Sequence, residues 1–169
     1  MVVTTEERTN RSKNLVGFVV GDVRYAVDIL RVREILNPLP VVDIPHAPPA
    51  IIGVADHRGE VVPVLDLRAR FGLGAASATR QTKWVIVRAG GRGVALVVDA
   101  VTDVFGAGPD DHREVPQLGV GDEARGIAAV YKHTGGLVFV VDIDRVASPA
   151  EVLDVSGLHQ VVEGVPEGT

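Results

Sequence analysis

Asp56, His57 and Arg58 stand side by side before Gly59, so a carboxylate, an imidazole and a guanidinium occur within one short stretch. A histidine next to a carboxylate can serve general acid–base catalysis or, with further ligands, hold a metal ion. In an extended strand, however, neighbouring side chains point to opposite faces, which disfavours the mutual orientation of Asp56 and His57. The stretch therefore predicts a hairpin turn with an interaction surface rather than an enzyme site that uses Asp56 and His57.

An internal repeat bears on this choice. Residues 57–67 align without a gap with residues 133–143, 76 positions further along the chain. The second copy keeps the histidine and the glycine, as His133 and Gly135, but lacks both the acid and the arginine. Because a shared hairpin explains the shared residues, we expect Gly59 and Gly135 to lie at equivalent turns.

The remaining histidines and the cysteine count give no sign of a metal or cofactor. His46, His112 and His159 are not at a ligand spacing such as His-x-x-x-His, and the chain has no cysteine. No Gly-x-Ser-x-Gly motif occurs, and the Gly-rich stretch 90–93 is followed by a strand pattern instead of the helix that a phosphate-binding loop needs. The sequence predicts no catalytic residue, no metal and no cofactor.

Composition and charge narrow the class of partner. A net charge of −5 without a basic stripe argues against nucleic acid as a partner, while 46% hydrophobic residues suffice for a folded core.

No apolar run approaches the roughly 20 residues of a membrane span, so we expect no membrane insertion. Residues 1–14 lack the apolar region of a signal peptide. We therefore expect a flexible N-terminal segment, protein partners and a cytoplasmic location.

Short apolar runs bounded by Gly, Pro or Asp recur along the chain, at spacings typical of barrels and sandwiches. In residues 61–65 neither alternation phase is polar, which predicts a strand packed between two layers. The fold class is therefore predicted to be all-β. The predicted strands are 15–20, 24–29, 51–57, 60–67, 82–87, 93–98, 127–131 and 137–143.

The repeat also predicts the division of the chain. Besides the hairpins, residues 32–35 match residues 101–104. We expect two similar β subdomains, about 15–73 and 82–147, joined by the small-residue stretch 72–79, whose composition is that of a linker or exposed loop.

Polar residues mark where several elements begin or end. Asp66 and Asp142 close equivalent strands and are predicted to cap or turn the next segment of the chain. Residues 148–151, Ser-Pro-Ala-Glu, form a capping-box pattern that predicts a short C-terminal helix over about 149–160. Residues 161–169 are then expected to be a flexible tail.

Several short motifs, taken together, resemble the chemotaxis coupling protein family CheW. They occur in that family's order and close to its spacing, over about 15–160, which is here interpreted as a single CheW-like domain. A lone motif would not be specific in this way. In the first half the motifs are Gly21-Asp22, residues 25–29, residues 32–35, Gly53-Val54, Arg58-Gly59 and residues 62–68, and in the second half 97–99, Val101, Asp103-Val104 and 140–143.

The resemblance implies two five-stranded SH3-like β-barrel subdomains around a shared hydrophobic core, without catalysis or cofactor. It implies an adaptor that joins chemoreceptor signalling tips to the regulatory domain of a CheA-type histidine kinase, in rings that can include other CheW-like proteins. By position, the residues matching the family's receptor-binding set are Val32, Glu34, Gly53, Arg58 and Gly59. Those matching its kinase and ring contacts are Arg113, Gln117 and Leu118.

The sequence departs from the family pattern at two places. Asp56-His57 stands where the family usually has Asn-Leu, and His112 replaces an apolar residue before the ring segment. These departures leave an alternative open, a divergent paralogue that binds receptor with little or no kinase contact in a motility or development pathway. A further alternative is an enzyme that uses Asp56 and His57.

Overall fold

The computed structural model describes residues 12–74, 77–115 and 126–147. Strands account for most of these residues, as the all-β prediction required, and the few helices are single turns. The strands are β1 (Lys13–Val20), β2 (Val23–Asp28), β3 (Val32–Leu36), β4 (Ile51–His57), β5 (Glu60–Asp66), β6 (Lys83–Ala89), β7 (Arg92–Val98), β8 (Ala100–Ala107), β9 (His112–Arg113), β10 (Ile127–His133) and β11 (Gly136–Val141). The α-helical turns are α1 (Leu67–Arg70) and α2 (Ile143–Val146), and Ile29–Arg31 and Pro109–Asp111 are 3-10 turns.

The strands form two sheets. The first sheet has the order β8-β1-β2-β11-β10-β9, and the second has the order β3-β6-β7-β5-β4. Each sheet contains one parallel pair, β2 with β11 and β5 with β7, among otherwise antiparallel pairs. The prediction of an all-β fold built from two five-stranded units is confirmed, with one addition: the first sheet has a sixth strand, β9, of only two residues.

The two copies of the repeat exchange strands between the sheets. The first sheet combines β1 and β2 of the first copy with β8, β10 and β11 of the second, and the second sheet has the reverse combination. The predicted subdomain limits 15–73 and 82–147 therefore do not coincide with the sheets. An internal repeat identifies equivalent segments, but it does not determine which copies pair, because pairing depends on long-range burial of apolar faces.

Three groups of buried side chains fill the structure, one within each sheet and one shared between the sheets. Val64 and Leu65 are neighbours on β5, yet Val64 enters the core of the second sheet and Leu65 enters the shared core. This confirms that residues 61–65 lie between two packed layers. Representative members are Phe105 and Tyr131 in the first sheet, Val62 and Trp84 in the second, and Phe18, Tyr25 and Leu96 in the shared core.

Two aspartates end equivalent strands as predicted. The Asp66 carboxylate accepts a hydrogen bond from the backbone N–H of Arg68, and Asp142 accepts from the N–H groups of Asp144 and Arg145. Each aspartate thereby caps a four-residue helix, α1 or α2. Within the described ranges, no helix is long and apolar enough to cross a membrane.

Some predicted boundaries differ from the structure or lie outside it. The N-terminal segment predicted to be flexible included residues 13 and 14, but these already pair with Ala107 and Gly106 at the start of β1. The edge strands β3 and β8 were not among the predicted strands, because their mixture of charged and apolar residues hides the alternation. The predicted C-terminal helix over 149–160 and the tail 161–169 lie outside the described residues.

Candidate protein-interaction site

The stretch that begins with Asp56 is a two-residue hairpin turn between β4 and β5. Its central residues have positive φ angles, 53° at Arg58 and 83° at Gly59, which is the backbone of a type I′ turn. The Gly59 N–H donates to the Asp56 carboxylate at 2.8 Å. The turn prediction is confirmed, and Asp56 serves the turn instead of pairing with its neighbour His57.

The partner of the turn is Glu34 on β3. The Glu34 Oε2 atom accepts from His57 Nε2 at 2.8 Å and from Arg58 Nε at 3.1 Å, while Oε1 accepts from Arg58 Nη2 at 2.8 Å. The side chain of His57 is 12% exposed, that of Glu34 33% and that of Arg58 76%. The cluster therefore runs from a sheltered imidazole through the carboxylate to a guanidinium at the surface.

This cluster joins the two edges of the second sheet. Glu34 lies on β3 at one edge, and His57 lies at the end of β4 at the other edge. A second contact lies on the same side of the sheet opening. Arg33 Nη1 on β3 donates to Glu60 Oε2 at 3.2 Å, and Glu60 begins β5, the strand next to β4. Side chains thus hold the open edges together, as is expected where a sheet curves towards a barrel.

The pKa values of Glu34 and Arg58 are shifted in opposite directions. Hydrogen bonds from Arg58 and then from His57 lower the pKa of Glu34 from 4.5 to about 2. The hydrogen bonds to Glu34 raise the pKa of Arg58 above its ordinary value. Glu34 is therefore ionised at neutral pH, and its oxygens are occupied by donors of the same chain.

Gly53 is required by a close backbone approach. Its φ angle is 151°, and a Cβ atom there would lie 2.3 Å from the Val42 carbonyl oxygen and 2.6 Å from Val41 Cγ1. Val42 exchanges two backbone hydrogen bonds with Val54 at 2.8 and 2.9 Å, which holds the crossing segment against β4. The sequence did not reveal this constraint, because it involves residues distant along the chain.

The other receptor-matched residues lie on the same sheet. Val32 begins β3, where it pairs with Val87 and packs against the shared core. A register irregularity separates Val32 from Glu34 on β3, so Arg33 and Glu34 reach different partners on the hairpin. The structure therefore brings Glu34, Arg58 and Gly59 into one cluster, with Val32 and Gly53 on the strands that carry it.

The ring-matched residues are described only in part. Arg113 lies on β9 at the edge of the first sheet. Its Nη1 atom donates to the carbonyl oxygens of Asp110 and His112 at 2.8 and 2.9 Å. Gln117 and Leu118 lie outside the described residues. Arg113 is therefore on a different sheet from Glu34 and Arg58.

The second hairpin repeats the turn and part of the cluster. Thr134 and Gly135 have φ angles of 45° and 76°, which confirms that Gly59 and Gly135 occupy equivalent turns. His133 Nε2 forms a hydrogen bond with Asp103 Oδ2 at 2.9 Å, as His57 does with Glu34. Sequence reasoning missed both pairs, although the repeat matches Asp103 with Glu34 and the histidines with each other.

Two sheets around a shared core, with a charged turn hydrogen-bonded to an edge strand, are the features of a small scaffold that presents a charge at its surface. Among the described residues, no group of three or more His, Cys, Asp or Glu side chains could hold a metal. Asp56 and His57 bind separate partners, so they do not form an acid–base pair.

Comparison with known proteins identifies the scaffold. A family model described as a CheW-like domain matches residues 14–151. The chain is 34% identical over 149 residues to the chemotaxis protein CheW of Rhizobium meliloti, covering 86% of this chain and 94% of that protein. It is 31% identical over 142 residues to the probable chemotaxis protein CheW of Rhizobium etli, covering 82% and 90%.

A solved structure agrees with these relatives. The crystal structure of the scaffolding protein TtCheW from Thermoanaerobacter tengcongensis matches with a TM-score of 0.76 and 25% identity, covering 83% of this chain and 96% of that one. The chain therefore belongs to the CheW-like domain family. Its function is that of a non-catalytic coupling adaptor in chemotaxis, as the resemblance implied, and the enzyme alternative has no support.

Proposed function

We propose that the protein joins the signalling tip of a chemoreceptor to the regulatory domain of a CheA-type histidine kinase, in the cytoplasm and at receptor arrays. The receptor surface is proposed to comprise Val32, Glu34, Gly53, Arg58 and Gly59. The observation that carries this proposal is Arg58, whose side chain is 76% exposed although two of its nitrogens bind Glu34. An exposed side chain that is already ordered loses less conformational entropy when a partner binds.

The geometry of Arg58 suits recognition of a receptor helix. The guanidinium uses Nε and Nη2 towards Glu34, so its other Nη group can donate to carboxylate or carbonyl oxygens of a partner. Glu34 holds the plane of the guanidinium, and Gly59 provides the turn that presents it. Gly53 contributes indirectly in this proposal, because it lets the segment 41–42 pack against β4.

A second surface is proposed for the kinase and for other CheW-like proteins in rings. It comprises Arg113, Gln117 and Leu118. Arg113 supports a separate surface, since it lies on the edge of the first sheet while the receptor set lies on the second. An adaptor needs two such surfaces, because it must hold both partners at once.

The test of the receptor surface is a charge reversal with a matched control. Arg58→Glu places a second carboxylate beside Glu34 and should lower the affinity for a receptor-tip coiled-coil fragment by about ten- to hundredfold. Thr134→Glu introduces the same glutamate at the equivalent turn position of the other hairpin, and it should leave that affinity unchanged. Calorimetric titration measures both, and thermal melts show whether each variant is folded.

The outcomes separate the alternatives. Equal affinity of wild type and Arg58→Glu for a fragment that wild type binds would contradict the receptor surface. A parallel titration with the kinase regulatory domain tests the second surface, for which Arg113→Glu is the variant. Binding of the receptor fragment without binding of the kinase domain would favour the divergent paralogue.

A further inference from the structure

His57 is the sheltered member of the charged cluster. Its side chain is 12% exposed, against 76% for Arg58, so a partner docking on the turn touches the arginine far more than the histidine. The only polar contact of the imidazole in the described residues is the 2.8 Å bond from Nε2 to Glu34 Oε2. The polar route from His57 to the exposed arginine therefore passes through Glu34.

The bond from His57 constrains the carboxylate in a way that Arg58 alone does not. Oε2 receives donors from both His57 and Arg58, whereas Oε1 receives only Arg58. Glu34 and Arg58 are both long, and an isolated surface pair of this kind is weak because holding it fixed costs side-chain entropy. A third donor from a packed ring fixes the orientation of the carboxylate and, with it, the plane of the guanidinium.

We infer that His57 is a positioning residue of the receptor surface, which presets the Glu34–Arg58 pair for docking. This inference rests on the proposed function of that surface. The second hairpin offers the contrast, since His133 bonds Asp103 in the same way at 2.9 Å but Thr134 stands where Arg58 would be. There the histidine holds a carboxylate and presets no arginine, so His133 provides a matched control.

The first measurement needs no receptor. Hydrogen exchange of the Arg58 Nε–H group, followed by nuclear magnetic resonance, reports how firmly the guanidinium is held. His57→Leu should speed this exchange about tenfold, because Oε2 loses its second donor. His57→Gln places an amide N–H close to where Nε2 lies and should restore slow exchange. His133→Leu should leave the Arg58 signal unchanged.

The second measurement is calorimetric titration with the receptor-tip fragment. His57→Leu should weaken binding about tenfold, His57→Gln should stay within about threefold of wild type, and His133→Leu should bind as wild type does. If the leucine variant does not fold, His57→Asn replaces it, because asparagine is polar but too short to reach Glu34. A merely structural histidine would not give rescue by glutamine together with a change in Arg58 exchange.

The two failures are distinguishable. A wild-type protein that does not bind the fragment defeats the proposed receptor surface, while the Nε–H exchange still decides whether His57 positions Arg58. Unchanged exchange in His57→Leu, or unchanged affinity where wild type binds, overturns the inference.

Discussion

Two turns have the same backbone conformation but present different charges: one joins β4 to β5 and the other joins β10 to β11. Both have two central residues with positive φ, and both begin with a histidine that bonds a carboxylate on a distant edge strand, at 2.8 Å and 2.9 Å. The shared pair ties the hairpin across the sheet in each copy. The histidine–carboxylate pair is thus part of the frame that the two copies have in common.

The difference lies at the next residue. Arg58 donates two hydrogen bonds to Glu34, and its side chain remains 76% exposed. At the equivalent position, Thr134 accepts from Arg24 Nη2 at 2.9 Å, and Arg24 Nη1 donates to the His133 carbonyl oxygen at the same distance. The second turn is therefore bound to β2 of its own sheet, whereas the first presents a charged side chain outwards. The histidine–carboxylate pair is common to both copies, and the residue at the next turn position determines whether the turn presents an exposed charge.

The largest expected effect is on stability, and it concerns Gly53 on β4, the strand that leads into the first turn. Gly53 is matched in the second copy by Ala129, which lies in the core of the first sheet. Gly53→Ala should destabilise the protein by about 2–4 kcal/mol, because the methyl group meets the 41–42 segment and the φ angle of 151° is strained for alanine. Urea denaturation at equilibrium measures the free energy of unfolding.

The matched control is Ala129→Gly. It should destabilise the protein by only about 1.5 kcal/mol, through backbone entropy and the loss of one buried methyl group. If Gly53→Ala costs no more than Ala129→Gly, the close approach of Val42 is not a constraint on β4, and the contrast between the two strands is lost.

The titration of the two carboxylates sharpens the comparison further. The pKa of Glu34 is lowered to about 2, mainly by Arg58 and then by His57, and the pKa of Asp103 is lowered mainly by His133. Arg58→Gln should raise the pKa of Glu34 towards 4.5 and leave the pKa of Asp103 unchanged. Carboxyl carbon shifts, followed by nuclear magnetic resonance across a pH titration, measure both values. A Glu34 pKa that does not respond to Arg58→Gln contradicts the assignment of the main cause.

The sign of the pH effect follows from the lowered pKa. An unfolded chain titrates Glu34 near 4.5, while the folded protein titrates it near 2, so the folded state favours the ionised form. The stabilisation is fully present above pH 4.5 and is lost as the pH falls towards 2. Glu34→Gln should therefore make the melting temperature less sensitive to pH in this window, when melts are recorded across it.

Much of the fold was predictable from the sequence. Short runs of apolar side chains located the interior strands, and Asp66 and Asp142 were correctly predicted to cap the helical turns after them. The edge strands β3 and β8 were missed, because residues such as Arg33 and Glu34 break the apolar pattern. The exchange of strands between the copies was also missed, since local periodicity contains no information on which distant strands pair.

The site was predictable only in part. The turn at Arg58 and Gly59 followed from the repeat, and Glu34 was named through the family resemblance. The role of His57 could not be inferred from its neighbour Asp56, because its partner Glu34 is 23 positions away in sequence. Gly53 could be named but not explained, since segment 41–42 meets β4 only through tertiary hydrogen bonds and packing.

The smallest expected effect concerns the backbone that the two turns share. Thr134 adopts a φ of 45°, which is unfavourable for a β-branched residue. Thr134→Asn creates the Asn-Gly sequence preferred in type I′ turns and should stabilise the protein by about 0.5–1 kcal/mol in urea denaturation. The exposed bond from Arg24 to the threonine hydroxyl is lost, but the bond to the His133 carbonyl remains.

Arg58→Asn provides the counterpart in the first hairpin. It relieves a smaller backbone strain, because arginine is not β-branched and its φ is 53°, and it removes both hydrogen bonds to Glu34. Its gain in stability should therefore be smaller than that of Thr134→Asn. Equal gains would mean that the arginine–glutamate pair adds nothing to the fold, and a loss in both variants would mean that the turns are not strained. A larger gain from Arg58→Asn in a Glu34→Gln background than in the wild-type background would show that the charged turn combines backbone strain with a compensating contact to Glu34.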